Sequence, residues 1–234
     1  RIVAATLPSE VQTTFLWDPA QVDPTAAPRH VVPDTVRWSA ALTPIEEADT
    51  VAAPSFRSFC DTLLAARRPV RIAVLGDSFV EGDILPADLR ERLQECYGGG
   101  GFAPMASPLT AFRRTVRTQS KGWTTYNIMQ RRTAPEALRA NFYVSGWVSH
   151  PAAGASTRWE MTDYRRHLEA CSSARVLFLS PAASRVEVTL NDTLRREFAI
   201  PAAAAVRQIE VRAPRIRALA FRVVSGTDGF IGYG

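Results

Sequence analysis

Residues 68–101 read RPVRIAVLGDSFVEGDILPADLRERLQECYGGGG, and the fold reading turns on them. A nearly continuous apolar run, VRIAVLGD at 70–77, breaks off in Gly76-Asp77-Ser78. Such a run has the pattern of a short strand buried on both faces of a parallel sheet. Beyond Ser78, Pro86 suits a first helical turn, Leu85, Leu89, Leu93 and Cys96 form an apolar stripe, and the glycines at 98–101 terminate it. Upstream, in SFRSFCDTLLAARR (55–68), Phe56, Phe59, Cys60, Leu63 and Leu64 recur at helical spacing. Arg67 and Arg68 suit a helix C-terminus, and Pro69 stops the helix. Helix, strand, glycine-bearing turn and helix are the opening of an α/β fold with a parallel sheet.

Ser78 has two readings at this position. The C-terminal edge of a parallel sheet is where α/β folds place their sites, and a serine there can serve as a nucleophile once a base takes its proton. Gly76 permits the tight turn, and backbone N–H groups of the turn can stabilise an oxyanion. Yet Gly-Asp-Ser is also a common turn composition, and a serine ahead of a helix is often only its cap.

The longer pattern bears on that choice. IAVLGDSFVEGDILPADLRERLQECYGGGGFAP (72–104), with GDS-x-x-EGD, then LR-x-x-LQ, then a glycine cluster, resembles the first block of the SGNH, or GDSL, hydrolase superfamily. The resemblance implies a flavodoxin-like parallel sheet carrying Ser78 as nucleophile, with the Ser78 N–H in the oxyanion hole and Asp77 positional. It implies an ester substrate and no metal or cofactor. It assigns no role to Glu81 and Asp83, which read as first-turn carboxylates. It also implies an inserted β-sandwich, and such inserts suggest an acylated carbohydrate as substrate, with Trp123, Trp147 and Trp159 as candidate sugar-contacting aromatics.

The superfamily's later blocks do not follow. Leu190-Asn191-Asp192 lacks the glycine expected before the asparagine and reads as a turn. Asp163 and His167 are four apart where the superfamily pattern has three, and His150 and His30 are weaker candidates for a base. The expectation is therefore the N-terminal portion of a hydrolase, completed by a C-terminal fragment or a second chain. The alternative is a non-catalytic carbohydrate-binding or surface-interaction module that keeps the Gly-Asp-Ser turn.

From about residue 105 the pattern turns to β. Segments 140–149, 175–180, 185–190, 194–200, 207–213 and 215–224 are rich in β-branched and aromatic residues. Val186, Val188 and Leu190 alternate with Arg185, Glu187 and Thr189, and Asn191-Asp192-Thr193 separates two segments as a hairpin turn would. The expectation is an antiparallel, jelly-roll-like β-sandwich. The resulting division is an extended, proline-rich arm at 1–53 with one short strand near 31–32 or 36–38, a first βα part at 54–104, the sandwich at 105–226, and a return at 227–234. Residues 110–133 read as a connection.

The bulk numbers bound the function. With 28 basic and 23 acidic residues the chain carries +5, but the arginines are dispersed and no run suits a nucleic-acid tail. No apolar stretch reaches the length of a membrane span. Cys60, Cys96 and Cys171 lack metal-ligand spacing, and one disulfide among them stays open. The chain opens on Arg1, and RIVAATLPSE lacks the apolar region of a signal peptide, which suits a processed product of an exported protein, periplasmic or extracellular.

Overall fold

Alternation and run length distinguish the strands by how many faces they bury. Ser184–Leu190 turns Val186, Val188 and Leu190 into a core and leaves Arg185 exposed, so one face is buried. Cys171–Ser180 holds the continuous run VLFL because both of its faces are covered: Val176 and Phe178 enter one core, while Leu177 and Leu179 pack against a second. The computed structural model describes residues 13–21, 55–65, 72, 74–101, 113–142 and 145–234. Two compact units divide the chain, one made of Arg1–Asp23 with Gly101–Gly234 and the other of Pro24–Gly100.

The first unit is β. Its strands are β1 (Thr13–Trp17), β2 (Val116–Asn127), β3 (Trp147–Met161), β4 (Cys171–Ser180), β5 (Ser184–Leu190), β6 (Leu194–Ile200), β7 (Ala203–Ile216), β8 (Ala218–Ser225) and β9 (Ile231–Gly232). They form one nine-stranded sheet in the order β1-β7-β4-β9-β3-β8-β5-β6, with β2 paired to β3 off this path. The sheet curls on itself. Phe178 on β4 stacks on Phe221 of β8, centroids 6.2 Å apart, although these strands are not neighbours. Phe15 on β1 meets Phe198 on β6 edge-on at 6.4 Å, so the two ends of the strand order close over the core. Phe178, Phe221 and Phe230 fill the centre.

A smaller core lies on the other face of β4 and β9. Ala134, Leu138 and Phe142, from the segment around a short helix at Glu136–Arg139, pack there on Val148, Val206, Ile231 and Tyr233. The Tyr233 hydroxyl donates to the Asn141 carbonyl at 3.0 Å and pins that segment.

The expected α/β fold with a flavodoxin-like parallel sheet is overturned. Among the described residues only β1 and β7 pair in parallel, and every other ladder is antiparallel. The apolar run at 70–77 is no strand where it is described: positions 72 and 74–77 are irregular, and Leu75 is 94% exposed. A strand requires a neighbour for its backbone groups, and none of the described strands pairs with this run. The jelly-roll-like sandwich of separate sheets is likewise replaced by a single mixed sheet, because β9 bridges β4 to β3 through Phe178↔Gly232 and Ser149↔Gly232. Residues 116–127, read as part of a connection, are a long strand, and β3 runs twelve residues past the end of its expected segment, to Met161. The strand expected near 31–32 or 36–38 lies outside the described residues, as does His30.

Among the described residues of the second unit there are three helices: α1 (Ser55–Ala65), α2 (Ser78–Glu81) and α3 (Ile84–Tyr97). The helix at Glu136–Arg139 in the β unit is α4. No described helix is long and apolar enough to cross a membrane.

Candidate functional site

The Gly-Asp-Ser turn resolves into separate roles. Asp77 is the N-cap of α2: its Oδ1 accepts from the Phe79 N–H at 2.9 Å, and its carbonyl accepts from the Val80 and Glu81 N–H groups, both at 3.0 Å. Ser78 is the first helical residue. It is exposed, and among the described residues no hydrogen bond engages its Oγ. A Cβ at Gly76 would lie 2.5 Å from Val80 Cγ2, so a side chain there would have to displace Val80.

The carboxylates that follow part company. Glu81 is exposed, whereas Asp83 is 2% exposed, takes a left-handed φ of 58°, and binds Arg90 of α3 at 2.5 Å. Asp83 therefore ties the turn to α3: it stands at the N-cap position of that helix, as a first-turn carboxylate can, but is buried and paired with Arg90. The apolar stripe of α3 faces solvent in part, with Leu85 60% and Leu89 45% exposed. Within the unit that carries Ser78, the described residues include no histidine.

The other sequence candidates lie in the β unit. Trp159 belongs to the main core, Trp123 is half-buried against it, and Trp147, also half-buried, opens β3. His150 Nδ1 sits 2.9 Å from the Phe230 carbonyl, so in the tautomer that donates there it fastens β3 to the 226–230 turn. His167 adopts a φ of 67° and its carbonyl accepts from the Gly101 N–H at 2.7 Å, while Asp163 is exposed. Asn191 and Asp192 form the β5–β6 turn, both at positive φ. The Asn191 Oδ1 accepts from the Arg217 and Ala218 N–H groups at 2.7 and 3.1 Å, and Nδ2 donates to the Arg215 carbonyl at 2.8 Å. That side chain clamps the β7–β8 turn, which fits the reading of this triplet as a turn.

One polar cluster escaped the sequence reading. Arg158 donates through Nε and Nη2 to both oxygens of Asp192, at 2.8 and 2.7 Å, and through Nη1 to Glu160 at 2.7 Å. These hydrogen bonds hold the Asp192 and Glu160 carboxyls below their ordinary range. Arg158 and Glu160 are two apart on one face of β3, a signal visible only once 150–161 is read as a strand. Cys60, Cys96 and Cys171 are all free thiols, and burial pushes Cys171 up to about 11. Among the described residues no cluster of ligating side chains could hold a metal ion.

No protein-family model and no curated protein matches the chain. Among solved structures, a peptidoglycan O-acetylesterase is similar at 19% identity and a TM-score of 0.49, covering 79% of this chain and 48% of that one. The chain thus spans about half the length of that esterase. A family 29 carbohydrate binding module is similar at 10% identity and a TM-score of 0.33, over 57% of this chain and 83% of the module. The Podospora anserina GH26-CBM35 β-(1,4)-mannanase is similar at 12% identity and a TM-score of 0.33, over 52% and 27%. At these scores the likenesses assign neither family nor ligand.

Proposed function

We propose that the chain is part of an exported SGNH-type serine ester hydrolase that deacylates a carbohydrate, with Ser78 as nucleophile and the β unit as carbohydrate-binding body. The observation that carries this reading is the division of labour at the turn: Asp77 does the capping, so the Ser78 hydroxyl is exposed and uncommitted within the GDS-x-x-EGD pattern. In the reaction, Ser78 Oγ attacks the ester carbonyl as a base removes its proton, the alcohol of the sugar leaves with a proton, and water then releases the acid from Ser78. The base is a histidine from outside the described part of this unit, supplied by a C-terminal segment or a second chain.

The test is hydrolysis of 4-nitrophenyl acetate and of an acetylated glycan by the native protein, compared with Ser78→Ala. Loss of about a thousandfold or more in turnover is expected, as for removal of any serine nucleophile. Unchanged turnover overturns the assignment. The rival reading is a non-catalytic carbohydrate-binding module, for which Trp123 and Trp147, half-buried in the β unit, are the candidate contacts. It takes over if the native protein binds glycan and turns over no ester.

A further inference from the structure

The inner face of the β2–β3 ribbon carries polar groups that the fold does not use. Thr118 on β2 stands directly across from Trp159 on β3, and Thr157 lies two residues from Trp159 on the same face. Trp159 belongs to the main core and Trp123 packs against it, which fixes this as the core side of the ribbon. Thr118 Oγ1, Thr157 Oγ1, Trp123 Nε1 and Trp159 Nε1 are all shielded from solvent, and none has a hydrogen-bond partner among the described residues. Thr157 is 1% and Trp159 8% exposed.

Folded proteins leave few buried polar groups unpaired, and four along one pair of strands call for an explanation. Packing does not supply it, because valine has the shape of threonine and no hydroxyl to strand. The ribbon keeps its charges elsewhere: Arg117, Arg158 and Glu160 alternate with the inward residues and pair among themselves. The inward row is therefore neutral, with two donor-only indole N–H groups and two hydroxyls that both donate and accept. It runs from the Thr118–Trp159 pair to Trp123, past a break in register between Lys121 and Trp123. Among the described residues, moreover, β2 pairs only with β3, so no described strand lies along its other edge.

We propose that this row binds a neutral polyhydroxylated ligand, a sugar unit of a glycan, entering beside β2 at the half-buried Trp123 and Thr118. Sugar hydroxyls accept from the two indole N–H groups and exchange hydrogen bonds with Thr118 and Thr157, while the indole faces cover the ring's C–H surface. The site rests on the reading of the β unit as carbohydrate-binding and names where that binding occurs.

The test uses the full chain labelled with ¹⁵N-tryptophan and titrated with mannohexaose, cellohexaose and chitotetraose in turn. At least one probe is expected to shift the Nε1–H resonances of Trp123 and Trp159 and leave those of Trp17 and Trp147 in place. The double variant Thr118→Val and Thr157→Val is expected to bind that probe about tenfold more weakly or worse. It should melt at the same temperature as the wild type or higher, because it buries no stranded hydroxyls. If the double variant does not fold, Trp123→Phe removes one N–H and keeps a ring, and the same loss of affinity is expected. Wild-type affinity in either variant overturns the site while the carbohydrate reading stands. Absence of binding by all three probes overturns both, and leaves the Ser78 assignment to its own turnover assay.

Discussion

In the Pro24–Gly100 unit large apolar side chains stand in solvent, with Leu75 94%, Leu85 60% and Phe79 59% exposed. In the β unit Phe178, Phe221 and Phe230 are fully buried, with Phe178 stacked on both of the others and these tilted against each other. Both regions are apolar in sequence, so composition does not separate them. The difference is whether described elements meet the apolar face. β4 has β7 and β9 at its edges and cores on both faces, while the 72–77 run has no strand partner among the described residues. Apolar periodicity reports which face wants burial, and only topology reports whether that burial occurs.

Substitutions in the two regions should therefore behave very differently. The largest effect is expected for Phe178→Ala, which empties the middle of the aromatic stack and bares the buried Arg207 guanidinium lying 5.6 Å over its ring. A loss of about 3–5 kcal/mol is expected in denaturant unfolding of the full chain, followed by a β-unit signal such as core tryptophan fluorescence. A loss under about 1 kcal/mol would mean that this core is loosely packed and the contrast between the regions is false.

Next comes Gly122→Ala in β2. The residue has a φ of 75°, and a Cβ would meet Ala155 Cα at 3.0 Å. A cost of about 1–3 kcal/mol is expected by the same measurement, because both the dihedral and the close approach oppose a side chain.

A smaller effect sharpens the comparison through pH. Arg158 lowers the carboxyl pKa values of Asp192 and Glu160, so the folded state binds protons less readily than the unfolded chain does. The resulting stability is complete above the ordinary carboxylate range, near pH 4–5, and is lost as pH falls through the lowered folded values. These groups are partly exposed, so the contribution is set below about 1 kcal/mol. Arg158→Met should flatten the dependence of the melting temperature on pH below about 4.5; an unchanged slope would remove the cluster from the stability account.

The smallest effect is expected in the other region. Leu75→Ser should change stability by less than about 0.5 kcal/mol, as for an exposed surface position. A loss of several kcal/mol would show that Leu75 is buried in the protein in solution and would erase the contrast.

The β unit was legible where strands alternate or run apolar, as at Val186, Val188 and Leu190 or in the VLFL of β4. β2 and β3 were hidden for a physical reason. Their ladder breaks register between Lys121 and Trp123, β3 carries Gly154 at a φ of 80°, and β2 exposes most of its middle, so neither shows a clean period of two. At the candidate site the position of Ser78 ahead of a helix was legible. Which residue caps that helix was not, because aspartate and serine are both good caps and only backbone placement selects Asp77. The run before it misled because an apolar strand pattern carries no record of its partner.

The pairing of β1 with β7 has a consequence in time. Thr14 and Gln208, joined by a side-chain hydrogen bond at 3.0 Å, are 194 residues apart in the chain. At roughly 5–20 residues per second of synthesis, β1 leaves the ribosome on the order of 10–40 s before the strand it must join. During that interval β1 is an orphan, and once β7 has formed its outer edge stays bare until β1 returns. Closing this pair depends on residues 13–17 finding that edge, a non-local step during which any other extended segment can compete for it.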